Sequence, residues 1–197
     1  MNILIVGDSF STIWPNTTGS WIELLSNSHT VTNLSCAGVS EYKILKQLES
    51  TYIPAYDLVI VSHTSDSRVH TRQHPIHTVG LHKNCDLIIT DLTPKSSWFN
   101  PSLKTAINWF KYHYDADYQK TIYNLIRSKI SNMITVQSIH IDHFSDSVPK
   151  APEINHLDFS KFWPTERGNI NHYTEKGNAF IFSEVSKTID LLFKKSV

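Results

Sequence analysis

Ser9 is the residue whose setting suggests chemistry first. It follows the apolar run Ile3-Leu4-Ile5-Val6 and the pair Gly7-Asp8. A strand over that run would deliver the Ser9 hydroxyl to the carboxyl edge of a sheet, where open α/β sheets bind ligands. A serine hydroxyl attacks a carbonyl only when a neighbouring base takes its proton. The expected base is His172, in Asn169-Ile170-Asn171-His172-Tyr173-Thr174, just ahead of the closing helix. A loop leading into that helix also emerges at the sheet edge, and Thr174 is suited to cap the helix. Gly38, in Cys36-Ala37-Gly38-Val39-Ser40, follows the second strand. Glycine there lets the backbone turn and present its N–H, beside that of Ser9, to a developing oxyanion. Each piece alone has a plainer reading as a helix cap, a backbone-bonding histidine or a turn glycine. Their order and spacing carry the inference.

Together the three segments resemble the SGNH/GDSL hydrolase family. Its first block is matched by Gly7-Asp8-Ser9-Phe10, its second by Gly38, and its last by His172 in Asn169-Ile170-Asn171-His172. The resemblance spans the chain almost end to end. It implies a Ser-His esterase or lipase-like mechanism on a flavodoxin-like, three-layer α/β/α sandwich with a mainly parallel central sheet. Two positions depart from the family pattern. Ser65, in His63-Thr64-Ser65-Asp66, stands where the family has an Asn that donates to the oxyanion, and Asn169 stands where it has the Asp that orients the histidine. Losing one oxyanion donor costs on the order of 100- to 1,000-fold in rate. Exchanging the orienting Asp for Asn cost roughly 10,000-fold in a serine protease. Asp158 and Glu166 are alternative carboxylates in the preceding segment.

The expected catalytic set is therefore Ser9, His172 and Asn169, with Ser9, Gly38 and Ser65 as oxyanion donors. Asp8, His63 and Arg68 are the expected substrate contacts. The expected reaction removes an acyl group, such as acetyl, from a saccharide or other small polar ester. A catalytically silent binding protein, which the two departures would fit, and an acyltransferase on the same scaffold are the alternatives.

His70, His74, His77, His82 and Cys85 fall within sixteen residues. Imidazole and thiolate suit zinc. The spacing matches no strong zinc pattern, however, and Pro75 argues against a helix presenting His70 and His74 on one face. The expectation is no metal and no cofactor, with this loop lending polar contacts to a hydrophilic substrate. Trp14, Trp98, Phe99, Trp109, Tyr112, Tyr114, Phe162 and Trp163 lie mainly in or beside irregular segments. Aromatic faces near a catalytic edge suit sugar rings, although aromatics more often serve the core.

The elements that must position these residues read as β-α-β-α-β over the first third of the chain. Residues 3–6, 30–34 and 57–61 are expected strands, and 19–25 and 40–48 expected helices, with Ser40 as an N-cap. That alternation predicts a parallel sheet with right-handed crossovers. Residues 62–100 and 140–171 read as irregular; loops of that length are often functional. A mostly helical stretch is expected over 101–130, a strand over 133–139 and a closing helix over 174–194. The last carries the apolar stripe Phe180, Ile181, Val185, Ile189, Leu192 and Phe193, which has helical spacing.

The 197 residues fit one domain, spanning 1–197, and contain 18 basic and 18 acidic residues. Zero net charge gives no electrostatic reason to expect nucleic-acid or anionic-membrane partners. Two cysteines are too few for a disulfide framework and fit a cytoplasmic protein. The N-terminus has no secretory-signal pattern, and no apolar stretch approaches the roughly 20 residues needed to cross a bilayer.

Overall fold

The first strand, β1 (Asn2–Gly7), is buried from Ile3 onward, as a strand covered on both faces must be. It lies between β2 (Thr30–Asn33) and β3 (Leu58–His63), parallel to both. β4 (Gln137–Asp142) pairs with β3, and β5 (Asn155–Asp158) pairs with β4, again in parallel. The order β2-β1-β3-β4-β5 is the flavodoxin-like doubly wound arrangement. The structure is a computed structural model and describes residues 1–15, 18–83, 85–92, 100–144, 155–161 and 172–194.

Alternation along the strands builds two apolar layers. Ile3, Ile5, Leu58, Ile60, Ile139 and Ile141 cluster with Trp21 and Leu25 of α1 (Trp21–Ser26) and with Ile181, Val185 and Ile189 of α5 (Glu175–Lys194). Leu4, Val6, Val59 and Val61 cluster instead with Ile44 and Leu48 of α2 (Glu41–Glu49) and Ile130 of α4 (Ala116–Met133). Helices therefore cover both faces of the sheet, giving three layers. α3 (Pro101–His113) does not join either layer. Its Leu103, Ala106 and Phe110 pack with Leu92, Val69 and Leu87, so it backs the long loop after β3. Among its described residues that loop contains one antiparallel bridge, Val69 to Leu87, and short 3₁₀ turns at Gly80–His82 and Ile89–Asp91.

Local chemistry explains where the elements differ from expectation. The helical stretch after Pro101 is two helices, because Asp115 Oδ1 accepts the Tyr118 N–H at 2.9 Å and starts a new one. α4 runs to Met133, so β4 begins at Gln137, later than expected. β5 falls inside a stretch read as irregular; Leu157 is its one apolar residue. Thr174 caps α5 as expected, its Oγ1 accepting the Gly177 N–H at 3.1 Å. Among the described residues, no helix is long and apolar enough to cross a membrane.

At the carboxyl end of β1, Gly7 meets β3 without clearance. A Cβ on Gly7 would lie 2.5 Å from the Ser62 Cβ and 2.7 Å from the Ser62 carbonyl oxygen. Gly7→Ala is therefore expected to lower stability by about 1–3 kcal/mol, the usual range for overpacking, measured by urea or thermal unfolding. An unchanged midpoint would mean that β1 and β3 separate more easily than this packing implies.

Candidate functional site

Beyond Gly7 the chain enters a 3₁₀ turn over Ser9–Ser11 with Asp8 as its N-cap. Asp8 Oδ1 accepts the Phe10 N–H at 3.0 Å, and the residue is only 1% exposed. Burial pushes the Asp8 carboxyl up to about 7, against the pull of the Phe10 N–H and the Arg68 charge. Asp8 thus holds the turn from inside and is not the substrate contact expected of it. Ser9 sits at the first position of the turn, where an N–H has no intrahelical partner.

Gly38 has φ +70°, and a Cβ there would lie 2.8 Å from the Cys85 Cβ. Glycine alone adopts that conformation without steric cost. The Gly38 carbonyl accepts the Asp86 N–H at 2.8 Å and Arg68 Nη1 at 3.1 Å. Among the described residues, neither the Ser9 N–H nor the Gly38 N–H is taken up by another protein group.

Ser9, Gly38, Arg68 and His172 line one cleft of about 450 Å³, with Phe10 and Phe144 supplying apolar wall. The residues come from the ends of β1 and β2, the loop after β3 and the approach to α5, all at the carboxyl edge of the sheet. The His172 ring packs against Trp14 and Phe10, with centroids 4.6 and 5.5 Å away. Trp14 Nε1 also donates to the Ser9 carbonyl at 3.2 Å. No hydrogen bond joins the Ser9 hydroxyl to His172 among the described residues. Catalytic hydrogen bonds are commonly long in a ligand-free site and tighten when substrate binds.

Two further expectations are corrected by geometry, and one falls outside the description. His63 is buried; its Nδ1 lies 2.5 Å from Glu41 Oε1 and its Nε2 2.8 Å from His140 Nδ1. The pleat sends it to the α2–α4 face, so it cannot contact substrate. Ser65 turns its hydroxyl to the Ser67 hydroxyl at 2.7 Å and accepts the Ser67 N–H at 3.3 Å. It closes its own turn and is not among the residues lining the cleft. Arg68 lines that wall instead. Asn169 and Glu166 lie outside the described residues. Asp158 is at the end of β5, where its Oδ1 accepts the Ser160 N–H.

On the α2–α4 face of the sheet lies a buried polar network that no motif in the sequence announces. Arg127 grips Asp142 with Nη1–Oδ1 at 2.5 Å and Nη2–Oδ2 at 3.1 Å, and His156 also bonds Asp142. Burial opposes ionisation of Asp142, but the hydrogen bonds from His156 and Arg127 outweigh it and hold the carboxyl below its usual range. Burial raises Glu41 to about 8, lowers His63 well below the usual imidazole value, and lowers His140 likewise. A protonated Glu41 donating to His63 Nδ1, with His63 Nε2–H donating to His140, satisfies these contacts without net charge. The register carried the clue: Val61 pairs with His140 and His63 with Asp142, so these polar residues share a face. His143 was also overlooked. It bonds the Ser62 hydroxyl through Nε2 at 2.7 Å and the Tyr173 hydroxyl through Nδ1, and it stacks on Phe10 at 4.4 Å.

Fold and site together define a parallel α/β protein whose carboxyl edge brings a serine, a histidine and two unengaged backbone N–H groups to one cleft. No protein-family model matches the chain, and no curated protein matches it.

The buried acids and histidines set a pH dependence of stability. Above about 6.5, unfolded His63 and His140 are largely neutral, as burial keeps them in the fold, and contribute little slope. Between about 6.5 and 8, folded Glu41 keeps a proton that its unfolded counterpart has lost, and Asp8 does so near the start of that window. Stability therefore falls as pH rises through this window, by on the order of 2 kcal/mol, or roughly 4–8 °C in melting temperature. Below 6.5 the unfolded histidines gain protons that buried His63 and His140 resist, which offsets the opposite trend of the acids. Glu41→Gln, which still donates to His63, should flatten the 6.5–8 decline in a melting-temperature series. An unaltered slope would locate the proton elsewhere.

Proposed function

We propose that this chain is a serine esterase of the SGNH/GDSL type, acting in the cytoplasm to remove a short acyl group, such as acetyl, from a saccharide or other polar ester. The observation that carries this reading is the shared cleft of Ser9, Gly38 and His172, drawn from the two ends of the chain. Its volume suits a small ligand, and its Phe10, Phe144 and neighbouring Trp14 offer apolar faces to a sugar ring. The chain's two cysteines suit a reducing compartment.

In this mechanism the Ser9 hydroxyl oxygen attacks the acyl carbonyl while His172 takes its proton. The tetrahedral oxyanion accepts hydrogen bonds from the Ser9 and Gly38 N–H groups. Arg68 adds positive charge to the same wall. Collapse expels the alcohol, which receives the proton from His172. Water then attacks the acyl-serine with His172 as base, releasing the carboxylic acid and restoring Ser9. A non-catalytic binding protein is the second reading, and the position of Ser65 favours it, because its hydroxyl pairs with that of Ser67 and does not line the cleft.

Labelling with a fluorophosphonate and turnover of a short-chain nitrophenyl ester separate the two. The esterase reading expects prompt labelling that requires both Ser9 and His172. It also expects Ser9→Ala to abolish turnover and His172→Ala to reduce it by more than about 100-fold. A folded wild-type protein that neither labels nor turns over ester would establish the binding reading in its place.

A further inference from the structure

The long loop after β3 holds a second group of reactive side chains with a chemistry of its own. His74 and Cys85 are 1% and 2% exposed, and His77 is half-buried. One ligand atom from each, two imidazole nitrogens and the Cys85 Sγ, lies within 4.8 Å of the other two. Donors around a tetrahedral zinc, at their usual bond lengths, stand about 3.3–3.8 Å from one another. Closing these three onto one ion takes movements of about 1 Å.

We propose that His74, His77 and Cys85 bind a divalent transition metal of the zinc type. Two imidazoles with a thiolate select a borderline-soft ion over magnesium or calcium, which take oxygen ligands. Pro75 argued against a helix presenting histidines on one face, but no helix is needed here. A tight turn through Pro75 brings the His74 and His77 rings together, with centroids 4.6 Å apart. The His82 ring is 5.3 Å from that of His77. His77, His82 and Cys85 all line the cleft that contains Ser9, so water from the cleft, or His82 after a further movement, would supply the fourth ligand.

The plainer role for His74 is to cap its own turn, because Nδ1 accepts the N–H groups of Ile76 and His77 at 3.2 and 3.1 Å. Ligation through Nε2 moves the ring proton to Nδ1 and turns those two N–H groups away. Metal entry therefore reorganises the 74–77 turn and releases the Cys85 thiol proton as the thiolate–metal bond forms. The site also has a structural consequence. Cys85 packs directly over Gly38, and the next residue, Asp86, donates its N–H to the Gly38 carbonyl. A metal on Cys85 would add a further tie to a wall of the cleft that Asp86 already fastens to Ser40 and Gly38. This proposal does not depend on Ser9 being a nucleophile.

Titration of the full chain with cobalt(II) tests it directly. The expected result is one ion per chain, a thiolate-to-cobalt charge-transfer band, d–d absorption of tetrahedral strength, and displacement of both by zinc. Cys85→Ala should abolish the charge-transfer band while far-UV circular dichroism stays native. His74→Ala and His77→Ala should each weaken zinc binding by more than about 100-fold, beyond the 10- to 100-fold typical of losing a supporting residue. Cys36→Ser should leave binding unchanged. A natively folded wild type with no charge-transfer band, or a band that survives Cys85→Ala, overturns the proposal.

Discussion

Asp86 has no solvent exposure, and donors from separate parts of the chain converge on its two carboxyl oxygens. Oδ2 accepts the Ser40 N–H at 2.7 Å; Oδ1 accepts the Thr71 N–H at 2.7 Å and faces Lys43 Nζ at 2.8 Å. Ser40 stands at the start of α2, yet its own hydroxyl makes no capping bond there. Asp86 reaches in from the distant loop and binds that end of the helix instead. Through its own N–H it also holds the carbonyl of Gly38. A buried carboxyl is tolerable only when such donors surround it. The loop after β3 is therefore fastened to α2 at the point where the turn of Gly38 must be set. The wall of the cleft rests on that contact, with α3 packed behind the loop as apolar support.

A second constraint comes from the end of the parallel sheet. The strand ends carry Ser62, His63, His140 and Asp142, all buried, and a buried polar group must find partners. Alternation divides these residues between two faces. Ser62 turns to His143, and His63, His140 and Asp142 turn to Glu41 and Arg127. Tyr123 joins the second group, donating to the Thr64 carbonyl at 2.9 Å while accepting from Arg127. These contacts form a buried polar layer that ties α2 and α4 to β3 and β4. Removing one member of such a layer leaves its partners buried and unpaired, which costs more than the bond itself is worth.

The same division explains what was legible in the sequence. β1, β3, α2 and α5 were readable because burial on both faces, or on one helical stripe, leaves a strong apolar pattern. β4 was shifted and β5 passed over because Gln137, His140 and Asp142, and then Asn155, His156 and Asp158, interrupt that pattern with polar residues. The break between α3 and α4 turns on one cap, Asp115, inside an otherwise helical composition. In the site, Ser9, Gly38 and His172 were legible because their places follow from the backbone: a strand end, a positive-φ turn and the approach to a helix. Asp8, His63 and Ser65 were not, because their roles depend on which way a side chain points. One residue along β3 decides whether a histidine meets the His143 side of the sheet or Glu41.

Side-chain direction also links the two ends of the chain at the cleft. Trp14 donates to the Ser9 carbonyl and packs on the His172 ring, so one indole touches both members of the candidate pair. Phe10, next to Ser9, stacks on His143 nearly face to face, with an interplanar angle of 8°. His143 bonds the hydroxyl of Tyr173, the residue that follows His172. The path from Phe10 through His143 to Tyr173 is thus a second connection, in addition to that from Ser9 through Trp14 to His172. Both are built from flat rings with few rotatable bonds, which give large contact at low conformational cost. Two such connections join the segment of Ser9 to that of His172. These ring contacts bring the segments that carry Ser9 and His172 together at one cleft, although no hydrogen bond joins the two side chains among the described residues.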